Sequence, residues 1–302
     1  MKQVAVITTG GTIAMNCGVP SDENFVASGV DFLPFANEPS PYFDSDFAYK
    51  LANYINEISF KYSALVVTHG TDTMEESAFY CDLVLDLMIP VVFTGAIHMR
   101  NHPAYDGEAN LQNAIVAAKS LTSGVYIAFD SDILPARFAT KTNAISRRAF
   151  SAPKCGRVGQ VLGSRYINFL DLPKRKTVLK PTPKGSILLM RSHYDISSDL
   201  IRSAVQNADG VVLEGFGGGR VPKDLLDLIS EFAYKKPLVI TGSAIESTTG
   251  DEYLYAGGFA WAKEKNIPII YSQADGKKSA IALNLAMKNG VDLMRYFDEE
   301  IN

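Results

Sequence analysis

Two short apolar runs end in glycine-softened, hydroxyl-rich turns, and this repeated pattern limits what the chain can become. Val4-Ala5-Val6-Ile7 leads into Thr8-Thr9-Gly10-Gly11-Thr12-Ile13-Ala14. Ala64-Leu65-Val66-Val67 leads into Thr68-His69-Gly70-Thr71-Asp72-Thr73. Apolar runs of this length, rich in valine and bounded by turn residues, read as buried strands. In an open α/β sheet the carboxyl ends of parallel strands converge on the ligand crevice. Hydroxyl-bearing turns delivered there, one with a carboxylate beside its threonine, point to hydroxyl chemistry.

The rest of the chain continues the alternation. Helical periodicity covers 46–62, 72–88 and 107–120, and strands are expected at 64–67, 90–95 and 124–129. Such alternation predicts an α/β fold with a doubly wound, mainly parallel sheet. From 133 to 172 the pattern is irregular and suggests a hairpin. Residues 172–184 are basic and proline-rich, the composition of a linker. A second, smaller α/β series follows, with strands at 187–190, 211–213, 237–241 and 267–271 and helices at 198–207, 224–234 and 276–288. The expected organisation is a catalytic domain over 1–180 and a smaller α/β domain over 185–302.

Composition removes several function classes. The 302 residues are 47% hydrophobic and 21% charged, enough to bury a full core. A net charge of −4 leaves no basic footprint, so no nucleic-acid partner is expected. No apolar run approaches bilayer length, so no membrane role is expected. The first apolar run ends in Thr and Gly instead of a small-residue cleavage site, so no secretory signal and a cytoplasmic location are expected. Cys17, Cys81 and Cys155 are widely spaced and form no Cys-x-x-Cys pattern. His98 and His102 flank a proline-bearing loop and read as a solvated pair, so no metal site is expected.

Each candidate residue has a plain reading beside the chemical one. The Gly10-Gly11-Thr12 turn lacks the lysine of a phosphate-binding loop and the third glycine of a dinucleotide fingerprint. Thr12 either caps backbone donors in a tight turn or serves chemistry. Asp72, with Glu75 three residues on, reads as a helix-capping pair. Thr71 beside it suits nucleophile activation if a base is near. Lys141 is a solvated lysine or, if partly desolvated, a proton relay coupled to Thr71 and oriented with Asp72. The glycine-rich run 215–219 permits close backbone approach, and Arg220 after it suits two-pronged binding of a carboxylate.

Together these segments give a chain that resembles the bacterial-type L-asparaginase/glutaminase family along essentially its whole length. The match rests on Thr9-Gly10-Gly11-Thr12-Ile13-Ala14, His69-Gly70-Thr71-Asp72-Thr73-Met74-Glu75-Glu76, Thr94-Gly95-Ala96 leading to Asp106-Gly107, and Thr140-Lys141-Thr142. The resemblance implies a larger amino-terminal and a smaller carboxyl-terminal α/β domain. It implies Thr12 as primary nucleophile and Thr71, Asp72 and Lys141 as a second catalytic group. It also implies substrate contacts from Gly11, Ser40, Gly70, Asp72 and Ala96, with Ser40 on the α-carboxylate and Asp72 on the α-amino group. A backbone N–H of the Gly11–Thr12 turn or of Thr71 would face the oxyanion. The implied reaction is hydrolysis of asparagine to aspartate and ammonia by double displacement, without metal or organic cofactor. The implied assembly is a homodimer or homotetramer with sites near subunit interfaces.

Two departures bear on substrate. Phe25 falls where the family carries a loop tyrosine, and 16–27 contains no tyrosine. Phenylalanine relays no proton. A water or Lys141 would then substitute, or the substrate would be another amide (glutamine, a D-amino acid amide or a larger one), or the chain would bind without turnover. Arg220 stands where many relatives carry an asparagine that reaches a neighbouring subunit. Glu246 and Glu252 are the candidates for the glutamate often found across that interface.

Overall fold

Every residue of β1 (Val4–Thr8), β3 (Ala64–Thr68) and β4 (Pro90–Thr94) is buried. Strands covered on both faces read as unbroken apolar runs, which is why these segments show no polar alternation. The computed structural model describes residues 3–13, 29–250 and 255–302. The loop 16–27 with Phe25, and also Glu252, lie outside the described residues. Two compact units form, Met1–Lys174 and Arg175–Asn302.

In the first unit the three buried strands join β2 (Val30–Pro34), β5 (Gly124–Phe129) and β6 (Asp132–Pro135). A separate two-stranded ladder pairs β7 (Thr140–Lys141) with β8 (Phe150–Ser151). With β9 (Gly159–Leu162) and β10 (Arg165–Asn168) the main sheet reaches eight strands, in the order β10-β9-β6-β5-β4-β3-β1-β2. The five strands from β5 to β2 run parallel, and β6, β9 and β10 run antiparallel. The order turns back between β1 and β3. At such a reversal the outgoing connections diverge and leave a crevice at the carboxyl ends of the two strands. Both threonine turns emerge there.

Local chemistry explains the elements around the sheet. Asp44 caps α1 (Ser45–Ile58) by accepting from the N–H groups of Asp46 and Phe47 at 3.0 and 3.2 Å. Ala48, Leu51, Ala52, Ile55 and Ile58 make its buried stripe. The helix stops at Ile58, and a single tight turn, Ser59–Lys61, takes the place of the last residues expected to be helical. The next helix, α2 (Met74–Val84), begins two residues later than expected, with Thr73 at its N-cap and no side-chain cap bond. The Asp72–Glu75 capping pair is therefore not formed, because both residues have partners on another strand. Then α3 (Gly107–Ser120) lays Leu111, Ala114 and Ala118 against Val4, Val6, Val66 and Val92.

The irregular stretch 133–172 resolves into short strands. β9 and β10 form a hairpin whose two-residue loop starts with Gly163 at φ 61°. β5 turns into β6 through Asp130 and Ser131, at φ 45° and 71°. That mirror-image turn matches the twist of the strands it joins. β2 was not foreseen, since Asp31 and Pro34 weaken its strand signal. It lies at the sheet edge, where a proline removes no needed donor.

The second unit is a four-stranded parallel sheet in sequential order, β11 (Ile187–Arg191), β12 (Gly210–Gly215), β13 (Leu238–Gly242) and β14 (Ile269–Ser272). Val211, Leu213, Leu228, Ile229, Leu238 and Ile240 lie in its core. The segment of linker composition is irregular but anchored. The N–H of Thr177 donates to Glu300 at 2.6 Å and that of Lys180 to Asn289 at 2.8 Å. The fold is thus a mainly parallel α/β domain followed by a smaller parallel α/β one. No helix among the described residues is long and apolar enough to cross a membrane.

Because Asp44 satisfies two otherwise unpaired helix donors, Asp44→Ala is expected to cost about 1 kcal/mol. Urea unfolding should show a lower midpoint with an unchanged slope; an unmoved midpoint would mean that the cap carries no weight.

Candidate active site

The two turns are tied by Thr9 and pressed together at two glycines. Thr9 donates to the Thr68 carbonyl from its N–H at 3.2 Å and from its hydroxyl at 2.9 Å. Gly10 and Gly11 follow at φ 103° and 78°, a conformation that glycine adopts without penalty. A Cβ on Gly11 would lie 2.5 Å from the Gly70 Cα, and one on Gly70 would lie 2.6 Å from the Ser40 hydroxyl. Glycine is thus required at both positions by contact as well as by dihedral angle at Gly11. Thr12 and Thr71 each come one residue after this contact, and both are half-buried.

Lys141 crosses from β7 to the second turn. Its Nζ donates to the Thr71 hydroxyl at 2.9 Å and to an Asp72 carboxylate oxygen at 2.6 Å. The lysine side chain is 15% exposed and that of Asp72 is 61% exposed. The pair is open to solvent on the carboxylate side, so it adds little to stability. Its effect is to fix the direction of the ammonium. The backbone of Lys141 is held separately, its N–H donating to the buried Glu75 carboxylate at 2.6 Å. Asp72 and Glu75 therefore both serve Lys141, one through the side chain and one through the backbone.

Ser40 lies beneath this turn. Its hydroxyl accepts from the Asp72 N–H at 3.3 Å, and its carbonyl accepts from the Thr73 hydroxyl at 2.9 Å. The hydroxyls of Thr9 and Thr73 are occupied with carbonyls, which separates them from Thr12 and Thr71. Ala96 follows β4 in a third turn, buried. The buried Asp106 carboxylate holds that turn by accepting from the N–H groups of Ile97 and His98 at 3.1 and 3.0 Å. Asn110 donates to Asp106 and to the Gly95 carbonyl, both at 3.0 Å. A buried charge is tolerated when donors surround it in this way.

His69 underlies the turn from the core side. Its Nδ1 lies 2.7 Å from the Gly70 carbonyl oxygen and its Nε2 lies 3.0 Å from the Ser77 hydroxyl. Phe43, Phe47 and Phe93 pack around the ring. Burial pushes its pKa down to about 4, against a smaller upward pull from the Gly70 carbonyl.

Gly11, Ser40, Gly70, Thr71, Asp72 and Lys141 are thus drawn into one neighbourhood, with Thr12 next to Gly11 and Ala96 on the adjoining turn. Arg220 belongs to the second unit, with its guanidinium 5.5 Å from the Tyr255 ring centroid. Glu246 is exposed. Asp106, Asn110 and His69 had no individual role from the sequence, and Glu75 only that of a helix cap. Glu75 offered one signal, a carboxylate set between residues that α2 buries. Among the described residues no three His, Cys, Asp or Glu side chains group as metal ligands. His98 and His102 merely stack in their loop at 4.5 Å.

These observations define a mainly parallel α/β domain in which two threonine-bearing turns meet where the strand order reverses. Residues 3–173 match the family described as Asparaginase, N-terminal, and residues 186–296 that described as Glutaminase/Asparaginase C-terminal domain. A probable L-asparaginase of Deinococcus radiodurans is 29% identical over an alignment covering 100% of this chain and 98% of its own. L-asparaginase 2 of Escherichia coli (strain K12) is 30% identical, covering 83% of this chain and 81% of its own. The thermostable L-asparaginase from Thermococcus kodakarensis has the same fold, with a TM-score of 0.88 over 99% of both chains at 22% identity. The chain belongs to the asparaginase/glutaminase family, whose general chemistry is amide hydrolysis.

The His69 environment sets a pH dependence. Unfolded histidine takes up a proton near 6.5, whereas folded His69 resists until about 4. Between those values the unfolded chain binds more protons, so stability falls as pH falls. The contribution is complete above the unfolded value and is lost by about pH 4, a swing of about 3 kcal/mol. Urea midpoints at pH 7 and 4.5 should therefore drop less in His69→Asn than in the wild type; equal drops would contradict this.

Proposed function

We propose that the protein is an L-asparaginase that hydrolyses the side-chain amide of asparagine to aspartate and ammonia. The observation that carries this reading is the Lys141 ammonium, 2.9 Å from the Thr71 hydroxyl and 2.6 Å from Asp72. A hydroxyl held against a shielded amine and a solvent-facing carboxylate is suited to proton transfer and to binding an α-amino group. Family membership supplies the amide.

In the proposed course, Ser40 and Asp72 take the α-carboxylate and α-ammonium groups of the substrate. The Thr12 oxygen attacks the amide carbon, and its proton passes through Thr71 and Lys141 to the departing nitrogen. N–H groups of Thr12 and Thr71 face the oxyanion, where such donors act in water-poor surroundings. Ammonia leaves with the C–N bond broken and an ester on Thr12. A water, deprotonated by the same relay, attacks that ester and releases aspartate, and the proton returns to Thr12. The sum is one amide and one water converted to one carboxylate and one ammonium. Gly11, Gly70 and Ala96 shape the wall of the pocket. No metal or cofactor enters this course.

We assign the catalytic role to a domain over 1–180 and a completing role to 185–302, in a cytoplasmic homodimer or homotetramer. A second reading keeps the nucleophiles and changes the amide to glutamine, a D-amino acid amide or a larger one. Phe25 and Arg220, which depart from the family pattern, support it.

Thr12→Ala is expected to abolish ammonia release, and Thr71→Ala and Lys141→Ala to lower kcat by about 10²–10⁴. An ammonia-release assay over asparagine, glutamine and their D-forms should favour L-asparagine in the wild type. Preference for another amide would select the second reading. Unchanged turnover in all three variants would remove both, and saturable binding without turnover in the wild type would leave an amino-acid-binding homologue.

A further inference from the structure

Gly70 presents a mechanical problem. Its lack of a side chain is demanded by Ser40, whose hydroxyl and Cβ leave no room for a Cβ there. The same lack leaves the peptide that follows it free to rotate at little cost. That peptide carries the Thr71 N–H, one of the two donors assigned above to the oxyanion. Some other group must set its plane.

We infer that His69 is a positioning residue, whose Nδ1–H grips the Gly70 carbonyl and so aims the Thr71 N–H at the substrate's amide oxygen. The inference rests on the amidase reading and adds to it a residue that does not touch the substrate.

Three observations support it. A carbonyl oxygen only accepts, so the 2.7 Å contact requires the hydrogen on Nδ1. In the neutral ring Nε2 is then the acceptor, and the Ser77 hydroxyl of α2 donates to it at 3.0 Å. Two partners thus fix one tautomer, as the second nitrogen of a histidine commonly decides the first. Next, no described peptide bond is cis. In a trans peptide the C=O and N–H point in opposite directions. A Gly70 carbonyl held towards the buried ring therefore turns the Thr71 N–H away from the core. Finally, that N–H donates to no acceptor among the described residues, whereas the next one, on Asp72, is taken by Ser40. Rotation of the peptide would replace a donor with a carbonyl oxygen facing a developing negative charge.

The test compares His69→Leu, His69→Asn and Ser77→Ala, with thermal melting of each. Asparagine presents its amide nitrogen where histidine has Nδ1, so it keeps the grip; leucine does not. His69→Leu should lose about 10²-fold in kcat, the scale of one oxyanion donor, with KM changed little. His69→Asn and Ser77→Ala should stay within about 10-fold of the wild type, by the same scale. Histidine ¹⁵N NMR of the wild type should show hydrogen on Nδ1 of His69. Equal kcat losses in the Leu and Asn variants would overturn the inference, as would a ring protonated on Nε2 in a protein that turns over amides. If His69→Leu does not fold, a His69→Asn loss of 10²-fold overturns it and near-wild-type turnover supports it. A wild type without amidase turnover would instead bring down the functional reading and, with it, the reaction His69 is inferred to serve.

Discussion

The approach of Gly11 to Gly70 is the contact on which the rest of the site depends. The two threonine turns leave adjacent parallel strands at the point where the sheet order reverses. Adjacency alone would leave their side chains apart if the first turn carried a Cβ at Gly11. With hydrogens there instead, backbone meets backbone, and a Cβ at Gly11 would come within 2.5 Å of its neighbour. Two hydroxyls on different strands are thereby brought one residue from the same point. Proximity of this kind removes entropy from a reaction before it begins.

Around that contact each loop is held by a side chain from a regular element or its edge. Glu75 on the first turn of α2 holds the Lys141 backbone, and Asp106, just before α3, holds the turn that carries Ala96. His69 reaches the Gly70 carbonyl, and Ser40 takes the Asp72 N–H. All four holders are buried. Thr12, Thr71, Asp72 and Lys141, the groups assigned to attack and proton transfer, are more open than the groups that hold the loops, with Asp72 the most exposed. A site built this way keeps its geometry through packed partners and leaves its reactive atoms accessible.

Much of this was legible in the sequence, for identifiable reasons. The buried strands announce themselves as apolar runs because both faces of a parallel sheet are covered, and the threonine turns follow as punctuation. β2 escaped notice because an edge strand tolerates Asp31 and Pro34. The short helices Phe259–Glu264 and Leu293–Tyr296 are too brief to display a period. Asp72 and Glu75 allow a capping reading beside the chemical one because a three-residue spacing of acids before an apolar run has two physical meanings. Only the position of Lys141, about seventy residues away in sequence, separates them. No local pattern encodes such a meeting, and the family resemblance alone pointed to it. Asp106 and His69 stand in the segments that carry the resemblance, but what they do was not legible, because the groups they hold in the site are backbone N–H and C=O groups, which leave no trace in residue identity.

The central claim is that Thr12 carries the covalent step while the Thr71–Asp72–Lys141 group moves protons. Rapid acid quenching of the wild type with saturating asparagine, followed by peptide mass mapping, tests this directly. An aspartyl ester on Thr12, absent from Thr12→Ala, is the result expected. An ester on Thr71, or an equal yield of ester from Thr12→Ala, would contradict the account.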